Sequence, residues 1–144
     1  MRIETNSFGP IECAEEDVIH FPQGLPGFEY ETAFVAIERP HSQPVVFLQS
    51  VQTPGLFFVT LPVETIDGGY HLKLSDEYRR ILGIAEEATR DLLTLAIVCM
   101  PDAGIPTANL LGPIVVHRTA RVAVQAVRDD TAYSASQPLF PGAA

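Results

Sequence analysis

The sequence is poor in basic residues, and this shortage limits the partners that the protein can have. Nine Lys and Arg stand against 18 Asp and Glu, which gives a formal net charge of −9. A surface of this sign repels phosphate backbones at long range. Direct binding to nucleic acid is therefore disfavoured.

Long apolar runs are also absent. The longest, Leu92 to Met100, contains Thr94 and stops at Pro101, so it falls short of the roughly 20 residues that a transmembrane helix needs. The N-terminal stretch MRIETNSFG lacks the apolar core of a secretory signal. We therefore expect a cytoplasmic protein without a membrane segment.

Cysteine is scarce, and tryptophan does not occur. Cys13 and Cys99 lie far apart in the chain, and neither belongs to a CxxC pair. This arrangement indicates neither a disulfide framework nor a zinc knuckle. We expect two reduced thiols that are mostly buried, as free cysteines commonly are.

Standard catalytic motifs are missing as well. The chain contains no GxSxG, P-loop, GxGxxG or HExxH sequence, and its histidines never pair at i, i+2 or i, i+4. We predict no catalytic, cofactor or metal site, and hence no enzyme. One alternative stays open, a small-ligand-binding or enzymatic β-barrel whose mouth holds a pocket lined by His71 or His117.

The chain is instead rich in short apolar segments separated by Pro and Gly turns, a pattern typical of a β-sandwich or small barrel. With 144 residues, 47% of them hydrophobic, it can build one core. We predict a mainly β, small, barrel-like antiparallel domain over residues 1–130 and a C-terminal tail at 131–144, for which disorder is one option. The predicted strands are Arg2–Asn6, Ile11–Ala14, Val18–Phe21, Ala33–Glu38, Val45–Val51, Leu56–Leu61, Tyr70–Leu74, Leu92–Met100, Ala108–Leu111, Pro113–Arg118 and Arg121–Arg128.

One helical segment is predicted after Ser75. Ser75 is a good N-cap, and the two acidic residues that follow suit the positive end of the helix dipole. Apolar residues recur at i, i+3 and i+4 from Tyr78 to Leu82, and Gly83 ends the helix. A further turn could follow at Glu86–Asp91, so one or two short helices are expected at about 75–91.

Acidic residues are concentrated near the N-terminus, where residues 1–38 contain eight acids and one base, Arg2. The densest group, at 15–17, lacks the Gly turn and spaced oxygens of a calcium loop, which favours a solvated charged turn between two strands. We expect residues 12–38 to contribute to one acidic field that faces a basic partner. The predicted contact residues here are Glu12, Glu15, Glu16 and Asp17.

Two further segments are apolar where loops are predicted. The loop at 22–28 contains two prolines and two glycines, yet it also contains apolar side chains that are unusual in a solvated loop. Such side chains either pack on the barrel, the commoner case, or face a partner. The same two interpretations apply to the segment at 109–111. The candidate contact residues of these segments are Leu25, Phe28, Asn109, Leu110 and Leu111.

Several segments, taken in order, resemble the FliW family. Phe8-Gly9 followed by IHFPQGLPGFE at 19–29 resembles its N-terminal signature. Further resemblances are FLQSV at 47–51, the strand between Pro54 and Pro62, and NLLGPIV at 109–115 with Arg121 and Gln125. Together they span roughly residues 3 to 128. The chain departs from the pattern after Tyr133, where the family commonly has an Arg.

The resemblance implies a monomeric, barrel-like β fold with short helices and a role in flagellar assembly. FliW proteins bind flagellin and the translational regulator CsrA, and by partner switching they relieve CsrA repression of flagellin mRNA. We therefore expect a CsrA-type regulator and flagellin as partners. A flagellin chaperone with no role in RNA regulation is a second alternative.

Overall fold

Short strands are the main regular elements of the structure, a computed structural model that describes residues 1–84, 91–130 and 132–139. The strands are β1 (Arg2–Ile3), β2 (Ile11–Glu12), β3 (Ile19–His20), β4 (Ala33–Ile37), β5 (Val46–Ser50), β6 (Phe57–Pro62), β7 (Leu92–Cys99), β8 (Thr107–Ala108), β9 (Ile114–His117), β10 (Val122–Gln125) and β11 (Gln137–Pro138). The helical elements are α1 (Asp76–Leu82) and the 3-10 helices η1 (Glu15–Asp17), η2 (Pro40–Ser42) and η3 (Val63–Thr65).

Seven strands of the described residues close into a barrel. They follow the order β7-β6-β5-β4-β3-β10-β9, and β9 pairs back with β7. Every neighbouring pair is antiparallel except β3 and β10, which run parallel with Val122 opposite His20. The predicted mainly β, barrel-like fold is confirmed, and the parallel pair is the one exception to the antiparallel arrangement in the barrel.

Apolar side chains fill the barrel and also cover three parts of its outer wall. Along β4, Phe34 belongs to the interior cluster whereas Val35 and Ile37 pack outside, because successive side chains of a strand point to opposite faces. Fully burying a side chain such as Phe34 contributes about 1.5–3 kcal/mol. The outer wall is covered by the β1–β2 hairpin, by α1, and by β8 with the C-terminal segment.

The predicted helix is confirmed at both ends. The Ser75 hydroxyl accepts a hydrogen bond from the Tyr78 amide at 3.2 Å, and Gly83 takes the left-handed conformation at φ +70°. Its apolar face packs against Val115 and Val124 on the outer wall. The further turn predicted at Glu86–Asp91 lies outside the described residues except for Asp91.

The strand predicted at Tyr70–Leu74 is wrong. Its alternation reflects burial alone, because side chains rather than a neighbouring strand bond to its backbone. The Tyr133 hydroxyl accepts from the His71 amide at 2.9 Å, and the His71 and Leu74 carbonyls accept from arginine side chains. A backbone satisfied in this way needs no sheet partner.

The chain between Cys99 and Leu139 differs from the prediction in two places. The strand predicted at 108–111 is only Thr107–Ala108, because the Asn109 carboxamide accepts from the amides of the two residues after Leu110 and turns the chain. Within the tail predicted for 131–144, Tyr133 and Leu139 pack in the cluster under β8, and β11 pairs with β8.

The two cysteines do not form a disulfide with each other. Both are free, Cys13 half-buried and Cys99 exposed. The expectation of mostly buried thiols is therefore wrong for Cys99, which is the last residue of β7. Its neighbour Met100 is also exposed, so the chain has left the barrel wall at this point.

Candidate functional site at the two ends of the barrel

The parallel pairing of β3 with β10 defines two ends of the barrel. Because both strands run in the same direction, the turns that precede them lie at one end and the segments that follow them lie at the other. Arg121 precedes β10 and Val127 follows it, and six residues of extended chain span ~20 Å. The predicted contact residues divide between these ends.

The end where β3 and β10 begin is named the acidic end, defined by Glu12, Glu15, Glu16, Asp17 and Glu38. All five side chains are exposed, and none forms an ion pair with a described residue. The Asp17 carboxylate accepts from the Ala14 amide at 2.8 Å, which closes η1. The predicted solvated charged turn between two strands is confirmed.

The expectation that all acids of 12–38 share one field is wrong. Glu29 and Glu31 follow β3, and they therefore lie at the opposite end of the barrel. Glu31 accepts hydrogen bonds from the Ser50 hydroxyl and, at 2.6 Å, from the Thr53 hydroxyl. This carboxylate holds the β5–β6 turn rather than facing a partner.

The opposite end contains the apolar loop, and its two predicted contact residues differ in exposure. Leu25 is 2% exposed and belongs to the interior cluster, so the prediction that it faces a partner does not fit its position. Phe28 is 41% exposed and packs edge-on against Phe58 at 5.4 Å between ring centroids. The loop is closed by hydrogen bonds between the backbones of Leu25 and Phe28.

The segment at 109–111 divides in the same way. Leu110 is 2% exposed and packs in the cluster under β8, so it too is a core residue. Asn109 and Leu111 are half-buried, and the Asn109 side chain shapes the turn. Of these three residues, Leu111 is therefore the one that presents apolar surface to solvent.

Val127 brings the two segments together. A cleft of about 260 Å³ is lined by Val127 together with Pro26 and Glu29 of the loop. The Val127 side chain also lies next to Gly112, within 3.4 Å of the position that a β-carbon would take there. We name the exposed and half-buried apolar residues at this end of the barrel the loop-end patch: Pro26, Phe28, Tyr30, Leu111 and Val127.

The sequence prediction missed Tyr30 and Val127, although they are 91% and 48% exposed. Val127 lies within the predicted strand Arg121–Arg128, and the alternation of that segment does not indicate that this side chain is exposed at its end. Tyr30 lies beside the charged residues Glu29 and Glu31, which do not distinguish an exposed ring from a packed one. A large apolar residue between two acids is the only signal that could have identified it.

A cluster built around one arginine, named the arginine cluster, lies next to the loop-end patch and consists of Arg128, Asp130, Tyr70 and Tyr133. Arg128 is 8% exposed, and its guanidinium donates to both oxygens of Asp130 at 2.9 and 2.8 Å. It also stacks over the Tyr133 ring at 4.9 Å. This hydrogen bonding holds the pKa of Asp130 below its ordinary value, and burial raises the pKa of Tyr70 beside it. The cluster fastens the segment at 132–139 to the barrel.

The histidines do not form the pocket that the ligand-binding alternative requires. The His117 ring lies 3.1 Å from the Leu82 carbonyl and 3.1 Å from the Asp91 carboxylate, so it joins α1 to β7. The cavity at the barrel mouth is lined by neither His117 nor His71. Among the residues that the structure describes, no three His, Cys, Asp or Glu side chains are grouped as metal ligands.

Comparison with known proteins gives a consistent result over the whole chain. The family model described as FliW protein matches residues 2–139. The flagellar assembly factor FliW of Heliobacterium modesticaldum is 37% identical, over 100% of this chain and 94% of its own. That of Desulfitobacterium hafniense strain Y51 is 36% identical, over 97% of this chain and 91% of its own.

A solved structure agrees with the fold. The crystal structure of the flagellar assembly factor FliW superposes with a TM-score of 0.89 at 33% identity, covering 100% of both chains. In the described part of this chain, no helix is long and apolar enough to cross a membrane. A family match across 2–139, together with relatives above 30% identity over nearly their full length, shows that the chain belongs to the FliW family.

Proposed function

We propose that this protein is a flagellar assembly factor that binds flagellin and a CsrA-type translational regulator, and that it antagonises CsrA repression of flagellin mRNA by partner switching. The named relatives are flagellar assembly factors, which supports the first part. The observation that carries the second part is the acidic end, where exposed carboxylates without ion pairs to described residues project from one turn and its neighbours.

The acidic end suits a regulator that holds RNA. A protein that binds RNA phosphates needs a basic surface, and an acidic protein docked beside that surface weakens RNA binding through the summed field. Opposite charges also speed the encounter of the two proteins. The acidic end therefore supplies both attraction for the regulator and repulsion of its RNA.

The loop-end patch suits flagellin. A protein that polymerises buries apolar surface against its neighbours, and the free subunit exposes that surface to solvent. Phe28, Tyr30 and Val127 offer exposed apolar side chains, and Pro26 and Leu111 extend them. Interfaces are enriched in such aromatic residues at their centres.

A charge-reversal experiment tests the antagonism. The variant Glu12→Lys/Glu15→Lys/Glu16→Lys should release less RNA from a purified CsrA-type regulator. At a concentration at which the unmodified chain displaces the RNA, the regulator mixed with this variant should keep it. Asp17 is left unchanged because its carboxylate bonds to the Ala14 amide. The measurement is fluorescence anisotropy of labelled flagellin leader RNA at low and at physiological salt.

A matched control carries the same charge change elsewhere. Glu29, Glu77 and Asp102 are exposed and lie outside the acidic end, so their reversal to Lys should lower antagonism far less. Equal loss in both triple variants would show that net charge alone is responsible. RNA release that is unchanged in the first variant would refute the electrostatic role of the acidic end.

The chaperone alternative differs in one observable. A chaperone without a role in RNA regulation would suppress flagellin aggregation yet leave the RNA complex of the regulator intact. Light scattering of flagellin and RNA anisotropy, measured on the same preparation, therefore separate the two proposals.

A further inference from the structure

The barrel opens at its acidic end into a cavity of about 570 Å³, which lies within the range of about 300–1,000 Å³ for small-molecule pockets. Its depth depends on Ala36. This residue lies within β4 and is exposed although Val35 and Ile37 beside it are buried, because its side chain points inward and is too short to fill the mouth. The apolar lining of the inner wall is Ile19, Val46, Leu93 and Val116.

Two arginines stand at the rim of this cavity. Neither Arg118 nor Arg121 forms an ion pair with a described residue. The Arg121 guanidinium is held in place by one Nη2 hydrogen bond to the Asp17 carbonyl at 2.8 Å, and its Nε is buried without an acceptor among the described residues. A guanidinium held in this way lacks the carboxylate that its planar set of donors fits best.

The carboxylates at the rim do not meet this need. The Asp17 carboxylate already accepts from the Ala14 amide, and the side chains of Glu12 and Glu38 are exposed to solvent. Arg121, by contrast, is half-buried, so it is the rim charge that has lost most water. Charge removed from water is costly unless it is paired, which favours an anion at this position.

We propose that the cavity binds a small amphipathic carboxylate of the medium-chain fatty-acid class. The carboxylate lies against Arg121 with Arg118 beside it, and the aliphatic chain lies over Ala36 among the apolar residues of the inner wall. This site goes beyond the protein-binding function proposed above, although Glu12, Asp17 and Glu38 of the acidic end stand at its rim. Its test needs neither flagellin nor a regulator.

The test is a calorimetric titration of the full chain with three ligands of equal chain length: decanoate, decylamine and decan-1-ol. Decanoate should bind saturably with one site, and the other two at least tenfold more weakly, because only decanoate pairs with the guanidinium. Equal binding of all three ligands, or unsaturable uptake of decanoate, would overturn the proposal.

Variants locate the site. Ala36→Leu fills the mouth and should weaken decanoate binding more than tenfold, and Arg121→Asn should weaken it about tenfold. Asn suits this position because Arg121 has φ +56°, a left-handed conformation that Asn tolerates. Arg80→Gln, an exposed arginine on α1, should bind as the unmodified chain does.

The rim carboxylates give a result of opposite sign. Glu12→Gln/Glu38→Gln removes two negative charges from the rim and should strengthen decanoate binding while leaving decan-1-ol unaffected. Undiminished decanoate binding in folded Ala36→Leu would refute the site. If thermal melting shows that Ala36→Leu does not fold, Arg121→Asn is titrated with the three ligands in its place. Decanoate binding by Arg121→Asn as tight as that by the unmodified chain would then refute the proposal.

Discussion

At the acidic end of the barrel most carboxylates point into solvent and form no side-chain hydrogen bond with a described residue, whereas at the loop end several charged side chains hold the fold together. Glu15 and Glu16 form no side-chain hydrogen bond with a described residue. Glu31, Arg128 and Asp130 each form several. Charge at the acidic end is therefore free to serve a partner, while charge at the loop end holds the structure that presents the loop-end patch.

The largest effect is expected at the glycine that shapes the apolar loop. A β-carbon on Gly24 would lie 2.6 Å from backbone atoms of Glu29, and Gly24 has φ +63°. Gly24→Ala should lower the free energy of unfolding by about 2–4 kcal/mol, through backbone strain and overpacking together. Denaturant unfolding measures it.

Gly27→Ala in the same loop is the matched control. Gly27 has φ +84°, but apart from its chain neighbours no described residue has an atom within 4 Å of the position that a β-carbon would take there, so its cost should be about 1–2 kcal/mol from the backbone alone. Equal costs at the two glycines would show that the close approach of Glu29 does not constrain the loop.

A smaller loss is expected at the arginine cluster. Arg128→Met should lower the free energy of unfolding by about 2–3 kcal/mol, because it leaves the His71 carbonyl and the Asp130 carboxylate without their charged donor. Arg80→Met on exposed α1 should change it by less than about 0.5 kcal/mol. A similar value for both arginines would contradict the structural role of the cluster.

The pH dependence of stability should follow Asp130. The pKa of Asp130 in the folded chain lies below its ordinary value. The ionised carboxylate therefore stabilises the fold at a pH above the ordinary carboxyl pKa, and this contribution is lost as the pH falls from there through the lower pKa of the folded state. The difference in unfolding free energy between the unmodified chain and Asp130→Asn should therefore be largest at neutral pH and shrink below about pH 4. A difference that stays constant with pH would contradict this pairing.

The smallest effect is expected at the acidic end. Glu12→Gln/Glu15→Gln/Glu16→Gln should change the free energy of unfolding by no more than about 0.5 kcal/mol, because these exposed carboxylates make no ion pair with a described residue. A loss as large as that of Arg128→Met would erase the contrast between the two ends.

Features carried by local chemistry could be predicted from the sequence. Ser75 and Gly83 bound the helix as predicted, because capping depends on residues within one turn. Alternation predicts the barrel strands because it records burial. The same alternation predicts a strand at 70–74, where arginine and tyrosine side chains from other segments take the place of a neighbouring strand.

The division of the candidate surface follows from β3, which separates Asp17 from Glu31 along the chain and so puts them at opposite ends. The parallel pairing of β3 with β10 could not be predicted, and it decides that Arg121 lies at the end of Asp17 and Val127 at the end of Glu31. Leu25 and Phe28 are three residues apart, yet one is core and the other surface. The geometry of the turn decides which side chains of such a loop are exposed, and the apolar character of a residue does not show whether its side chain points to the core or to solvent.

Whether the two ends of the barrel bind different partners can be decided by measuring the affinity for each partner in two variants. Glu12→Lys/Glu15→Lys/Glu16→Lys should weaken the binding of a CsrA-type regulator at least tenfold and change the affinity for flagellin by no more than about twofold. Tyr30→Ser/Val127→Ser should do the reverse, since both side chains are exposed and their loss leaves the fold intact. If either variant weakens both partners equally, one shared surface binds them and the account of two ends is wrong.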